Sequence, residues 1–348
     1  MAQSLDLTAG RRYRDLVGKI MQLTDLGHFG QARLDRHPDA AQGSQMINDR
    51  PIVGILFVLG FCLFAPMGDA AAKAISLATP MMMILLFRYS MQFALPIPII
   101  LATGKRIAMS KRVLRIIIVR SVIHIAGVTA MYIALRYLPL ADALAIAFVY
   151  PFIMLVMGWM FLGEQVGIRR ITACAIGFAG TLMIIQPSFA AVGAPALLPV
   201  LVAFLFATLV LLTRQIAKEY DPVCLQTVSG LTSAVLLLAV WAVFYSFEFA
   251  DLQIVPVGGN ILMNLGLVGL FGTLSHLCMN YAVRFAPSAT LAPMQYIELP
   301  VATAIGLVVF GELPNMLASI GISISVGAGL TMLFFEHRAA QRQTAAGQ

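Results

Sequence analysis

Between residues 171 and 213 the chain carries no Asp, Glu, Lys or Arg, and the same holds for residues 313–335. A helix needs about 20 mostly apolar residues to cross the hydrocarbon core of a bilayer, so the first stretch has room for two crossings. Backbone in hydrocarbon has to satisfy its hydrogen bonds within its own segment, which selects helices over open strands. Composition agrees: 60% of residues are hydrophobic and 11% charged, against about 25% charged in an ordinary soluble domain.

The sequence predicts an all-α integral membrane protein with ten spans, at roughly 51–73, 79–102, 114–135, 140–162, 169–187, 195–214, 223–246, 259–284, 288–310 and 314–335. Turn-prone residues separate them, among them Pro80, Gly104, Pro139, Pro187, Pro222, Gly258, Pro287 and Pro314. Residues 1–50 differ in being polar and mixed in charge. Tyr13, Leu16, Val17, Ile20 and Leu23 form an apolar stripe at helical spacing, accompanied by Arg11, Arg12, Arg14 and Lys19. That tail reads either as an interfacial helix on the cytoplasmic leaflet or as a partly disordered segment. Residues 337–348 form a second short polar tail.

The net charge of +7 reflects membrane orientation rather than a phosphate-binding face. With a cytoplasmic amino terminus, 20 of the 23 Lys and Arg residues fall inside, Arg120 being counted with the connection after the second span and the start of the third. Only Lys73 and Arg136 fall outside, and Arg88 lies within a span. This lopsidedness predicts both termini in the cytoplasm of a multi-pass inner-membrane protein. No aromatic–basic platform for nucleic acid is present. Cys62, Cys174, Cys224 and Cys278 are solitary, with no CxxC pair, and read as small packing residues.

An internal repeat fixes the expected architecture. Ala134, Arg136, Tyr137, Pro139 and Ala141 recur as Ala282, Arg284, Phe285, Pro287 and Ala289, each 148 positions later. Gly163-Glu164 recurs at the same offset as Gly311-Glu312. Five spans per copy is an odd number, so the second copy enters the membrane from the opposite side. The halves are residues 51–187 and 195–336. Inverted repeats commonly place a substrate site near the midplane between them and expose it to alternate sides.

These residues resemble the EamA-type transporters of the drug/metabolite transporter superfamily. The resemblance rests on two five-helix halves, the Ala-x-Arg-x-x-Pro segment and the Gly-Glu close of the fourth helix. It covers about residues 51–336. It implies ten helices, a central cavity and transport of amino acids, vitamins or nucleotide-like cofactors. The Gly68-Asp69-x-x-x-Lys73 segment is similar to branches that import riboflavin or S-adenosylmethionine. The fifty-residue amino-terminal extension is longer than the family usually shows.

Ionisable groups inside spans are costly, about 2.5–3.5 kcal/mol on insertion scales, and face a cavity or a partner. Arg88 is a candidate to hold a substrate carboxylate or phosphate, or else to pair with Glu298 or Asp69. Glu298 sits mid-span two residues before Pro300, and with Gln295 and Tyr296 makes a polar cluster suited to substrate binding or proton coupling. His276 and Asn280 share one helix face at i, i+4 spacing. Tyr150, beside Pro151, matches Glu298 in the repeat and joins the candidate substrate-binding set. His124 reads as a packing histidine, and Gly177 and Gly180, with Gly327 and Gly329, as close-packing positions. Asp69 and Lys73, also i, i+4, are a candidate ion pair or outer gate. Glu164 and Glu312 suggest a shared role at helix ends.

No HExxH, GxSxG or Walker loop occurs, so nothing points to an enzyme, a metal or a cofactor. The alternatives to a carrier are a membrane-embedded enzyme and a passive channel. The carrier reading implies a small-molecule substrate and the lipid bilayer as partners, with a proton or counter-solute as candidate coupling species. It is silent on oligomeric state.

Overall fold

The computed structural model describes residues 50–162, 167–247, 249–312, 316–317, 319–324, 326–328, 330–331 and 334–335. The amino-terminal stripe, Glu164 and the carboxy-terminal tail lie outside the described residues. Twelve helices of the described residues are labelled here in chain order: α1 Pro51–Ile75, α2 Met81–Ala94, α3 Ile97–Thr103, α4 Lys111–Ala134, α5 Leu140–Ala147, α6 Tyr150–Leu162, α7 Ile168–Val192, α8 Leu198–Ile216, α9 Pro222–Phe244, α10 Gly259–Phe285, α11 Ser288–Leu291 and α12 Glu298–Phe310. Among the described residues, seven helical stretches are long and apolar enough to cross a membrane, and three shorter apolar helices lie at 171–183, 294–310 and 319–328. Among the described residues there is no strand. The protein is an all-helical, multi-pass membrane protein.

Helix starts follow local chemistry. The Ser110 hydroxyl accepts from the Val113 N–H and caps α4. Asp221 accepts from the Val223 and Cys224 N–H groups and caps α9, with Pro222 at the first helical position. Prolines set the interruptions. The span that holds α2 and α3 breaks at Leu95-Pro96. The span made of α5 and α6 breaks at Phe148-Val149, just before Pro151, whose ring clashes with the preceding turn. Its counterpart runs from α11 through a 3-10 stretch, Ala292–Ile297, into α12, which contains Pro300.

The two parts of the chain interlock rather than sit side by side. α1 packs antiparallel along α10, α2 along α9, and α4 along α8. The α1–α10 seam is close to backbone contact. A Cβ built on Gly54 would lie 2.6 Å from the Ala286 Cβ, and one on Gly68 would lie 3.5 Å from the Gly272 N. On the α2–α9 seam a Cβ on Gly230 would meet the Phe93 N at 2.5 Å. Gly177 likewise makes room for the Tyr296 ring, 2.4 Å from where its Cβ would be. Without a hydrophobic drive between helices in lipid, such close approach is the main source of cohesion.

Both ends of the bundle are tied by ion pairs joining the earlier and later parts of the chain. At the carboxy-terminal end of α4, Arg136 donates two hydrogen bonds to Asp251, at 2.7 and 2.9 Å. Lys73 pairs there with Glu312, which follows the left-handed Gly311 closing α12. At the opposite end, Lys105 pairs with Asp221 and Arg112 with Glu219, both at 2.7 Å. Burial works against the Asp221 charge, but the Lys105 hydrogen bond and the two capping N–H groups outweigh it and hold the carboxyl below its usual range.

Candidate functional site

A cavity of about 90 Å³ lies among α1, α2, α4, α5, α6, α8, α10 and α12. Four of the expected substrate-binding residues line it: Arg88, Tyr150, His276 and Glu298. Asp69, His124, Phe61, Phe206 and Tyr132 line it with them. The volume suits a few waters, at about 30 Å³ each. Pockets for small molecules run to about 300–1,000 Å³, so a metabolite-sized occupant requires the surrounding helices to move apart.

Arg88, buried on α2, donates from Nη1 to the Tyr132 hydroxyl at 2.7 Å, and its guanidinium lies over the Tyr132 ring at 5.7 Å. Gly272 makes space for it, since a Cβ there would lie 2.6 Å from Nη1. The Arg88 Nε–H has no partner among the described residues. Among the described residues Arg88 forms no ion pair with Glu298 or Asp69, and its Nη1 is taken by Tyr132. Asp69 faces the cavity while Lys73, one turn on, reaches the bundle end. There Lys73 donates to the Leu138 carbonyl at 3.2 Å and pairs with Glu312 instead of Asp69. Glu312 in turn accepts from the Leu140 N–H at 2.9 Å, covering the exposed start of α5.

Glu298 is the first residue of α12, and Tyr150 the first of α6. Both are buried, and neither Glu298 Oε2 nor Tyr150 Oη has a partner among the described residues. Two half-helix starts therefore meet the cavity, one carrying a carboxylate and the other a phenol.

His124 and His276 approach with their Nε2 atoms 3.0 Å apart, one nitrogen donating and the other accepting. His124 is buried with a single hydrogen bond, as a packing histidine is, but its partner is His276 of α10 and both rings line the cavity. No group of three or more His, Cys, Asp or Glu side chains suited to a metal occurs among the described residues.

Two expected site residues are elsewhere. Asn280 does not line the cavity. Its Oδ1 accepts from Arg120 Nη2 at 2.9 Å and its Nδ2 donates to Gln226 Oε1 at 2.9 Å. Arg120 completes its set by donating to Thr213 at 2.7 Å and Ser229 at 2.6 Å. Arg120 is therefore not a cytoplasmic-side cation at the start of its span. The Ser110 cap starts α4 early enough to carry Arg120 into the bundle, where it is only 1% exposed. Gln295 is fully buried beside Met279, away from the cavity lining, and its Oε1 has no partner among the described residues.

The chain matches the EamA-like transporter family model twice, over residues 52–186 and 194–334. It is 29% identical over 219 residues to a protein of Rhizobium johnstonii named a riboflavin transporter, covering 63% of this chain and 70% of that one. It is 22% identical over 296 residues to a protein of Rickettsia felis named an S-adenosylmethionine uptake transporter, covering 84% and 96%. A solved crystal structure shares the fold with a TM-score of 0.63 at 16% identity, covering 83% of this chain and 98% of that one. Two matches to the family pattern, together spanning most of a multi-pass helical bundle, place the chain in the EamA-like transporter family.

Proposed function

We propose that this protein is a secondary carrier that moves a small organic metabolite across the inner membrane by alternating access. The supporting observation is a cavity built from both family-matched segments and furnished with buried, unpartnered polar atoms: Arg88 from the first, Glu298 from the second, and Tyr150 at the matching half-helix start. Buried polar groups without partners are uncommon because each costs about 1–3 kcal/mol. A ligand that supplies the missing partners recovers that cost on binding. Half-helix starts at a cavity between repeats are a recurrent arrangement in carriers.

The ten-span, inverted-repeat arrangement belongs to this reading, with halves at 51–187 and 195–336 and both termini cytoplasmic. Labelling of single cysteines at positions 136 and 284 from either face tests it. Accessibility from opposite faces is expected, and accessibility from the same face overturns the inverted architecture.

The metabolite class is a vitamin, amino acid or nucleotide-like cofactor, for which the names of the relatives supply two concrete probes, riboflavin and S-adenosylmethionine. Purified protein in liposomes is expected to show saturable uptake and counterflow exchange of one of these or a related solute. Arg88→Ala and Glu298→Gln are expected to reduce that exchange. Transport unaffected by both substitutions overturns the site, and a solute that emerges chemically altered overturns the carrier.

A further inference from the structure

Glu298 is a buried carboxylate that makes no ion pair among the described residues. Neither nearby arginine serves it. Arg88 is engaged by Tyr132, and Arg120 is held by the neutral oxygens of Thr213, Ser229 and Asn280. A carboxylate in such a place, with Asp69 on the same cavity wall, is costly unless it takes up a proton or a cation is delivered to it.

The wall of the same cavity is aromatic. Phe61 and Phe206 stack with ring centroids 5.7 Å apart, and Tyr150 meets Phe206 edge to face at 5.0 Å. His276 lies against both phenylalanines, at 6.4 and 6.2 Å. Faces of aromatic rings carry negative potential and attract organic cations, most strongly where water is excluded.

From the joint placement of Phe61, Tyr150, Phe206 and Glu298 on one buried cavity, we propose that this site selects metabolites bearing an organic onium centre, a sulfonium or alkylated ammonium. Arg88, with its unpartnered Nε–H on the same cavity, takes a carboxylate or carbonyl elsewhere on the same ligand. This rests on the carrier reading for its meaning but concerns binding alone. It separates two chemistries that the carrier reading leaves together, a neutral flavin and a sulfonium zwitterion.

The test uses the purified full chain in lipid nanodiscs and two ligands, S-adenosylmethionine and its thioether counterpart S-adenosylhomocysteine. They differ by one methyl group and its positive charge. The sulfonium is expected to bind at least about tenfold more tightly than the thioether. Glu298→Gln is expected to bring that ratio towards one, Glu298→Asp to retain most of it, and Phe206→Leu to lower it several-fold. The leucine variant also serves if the glutamine variant does not fold. Equal affinities in the wild type, absence of sulfonium binding, or a ratio that survives both Glu298→Gln and Phe206→Leu would each overturn the proposal. The carrier reading is judged separately by counterflow. Riboflavin exchange with no sulfonium preference leaves the carrier standing and removes the onium site. A sulfonium preference without exchange of any solute does the reverse.

Discussion

Tyr150 and Glu298 stand 148 residues apart, and each is the first residue of a half-helix that opens onto the central cavity. The prolines that follow them, Pro151 and Pro300, interrupt the regular hydrogen-bond ladder in the preceding turn. The same backbone device thus presents a phenol in one copy and an acid in the other. Under the proposed function, this chemical asymmetry would suit a ligand with unlike ends.

Arg88→Lys is expected to be nearly as damaging to transport as Arg88→Ala. The guanidinium uses one nitrogen on Tyr132 while keeping another free, and an ammonium cannot reproduce that planar fork. Initial uptake rates in liposomes, normalised to inserted protein, should fall about tenfold or more for both. Full activity in the lysine variant would show that only charge is needed.

Asn280→Ala is expected to lower stability rather than ligand affinity. The substitution removes an acceptor from Arg120 and a donor from Gln226, both deep in the bundle, and each orphaned group costs about 1–3 kcal/mol. Thermal unfolding in detergent should show the loss, while the dissociation constant measured on the remaining folded protein stays within about twofold. A large affinity change with unaltered stability would return Asn280 to the substrate site.

What could be read from the chain divides along physical lines. Arg88 and Glu298 were legible because a charge inside an apolar span is costly, and Tyr150 because the repeat aligned it with Glu298. Arg120 was misplaced although a signal existed: Ser110 is a strong helix cap, and a helix starting there carries Arg120 nearly three turns inward. The His124–His276 contact joins residues 152 apart in sequence, and spacing within one helix holds no information about such a pairing. The same limit explains Lys73. Its neighbour at i−4 was visible, but Glu312, 239 residues on, was not.

Gly230→Ala is expected to destabilise the fold by about 1–3 kcal/mol. Its new methyl would meet backbone atoms of Gln92 and Phe93, which cannot swing aside as a side chain could. Gly266→Ala is the matched control, since nothing lies within 4 Å of its Cβ position. Melting temperatures in the same detergent should separate the two. Equal values would mean that α2 and α9 part readily.

The Arg136–Asp251 bridge should carry a pH signature. Paired hydrogen bonds from Arg136, aided by the Met81 N–H, hold the Asp251 carboxyl below its usual range despite some burial. Because the folded value is depressed, the contribution is present above the unfolded value of about 3.9 and disappears as pH falls through the folded one. Wild type is therefore expected to melt above Asp251→Asn at neutral pH, with the gap closing below about pH 4. A gap that does not narrow as pH falls below about 4 would assign the difference to packing.

The near-touching backbones of α1 and α10 have a mechanical consequence. Two rods meshed through missing side chains at Gly54 and Gly68 cannot slide past one another without first separating. They therefore travel as a single stiff beam, although one comes from early and the other from late in the chain. Under the proposed carrier mechanism, any rocking that opens a passage has to occur along looser seams, so each moving body would combine helices from both family-matched segments.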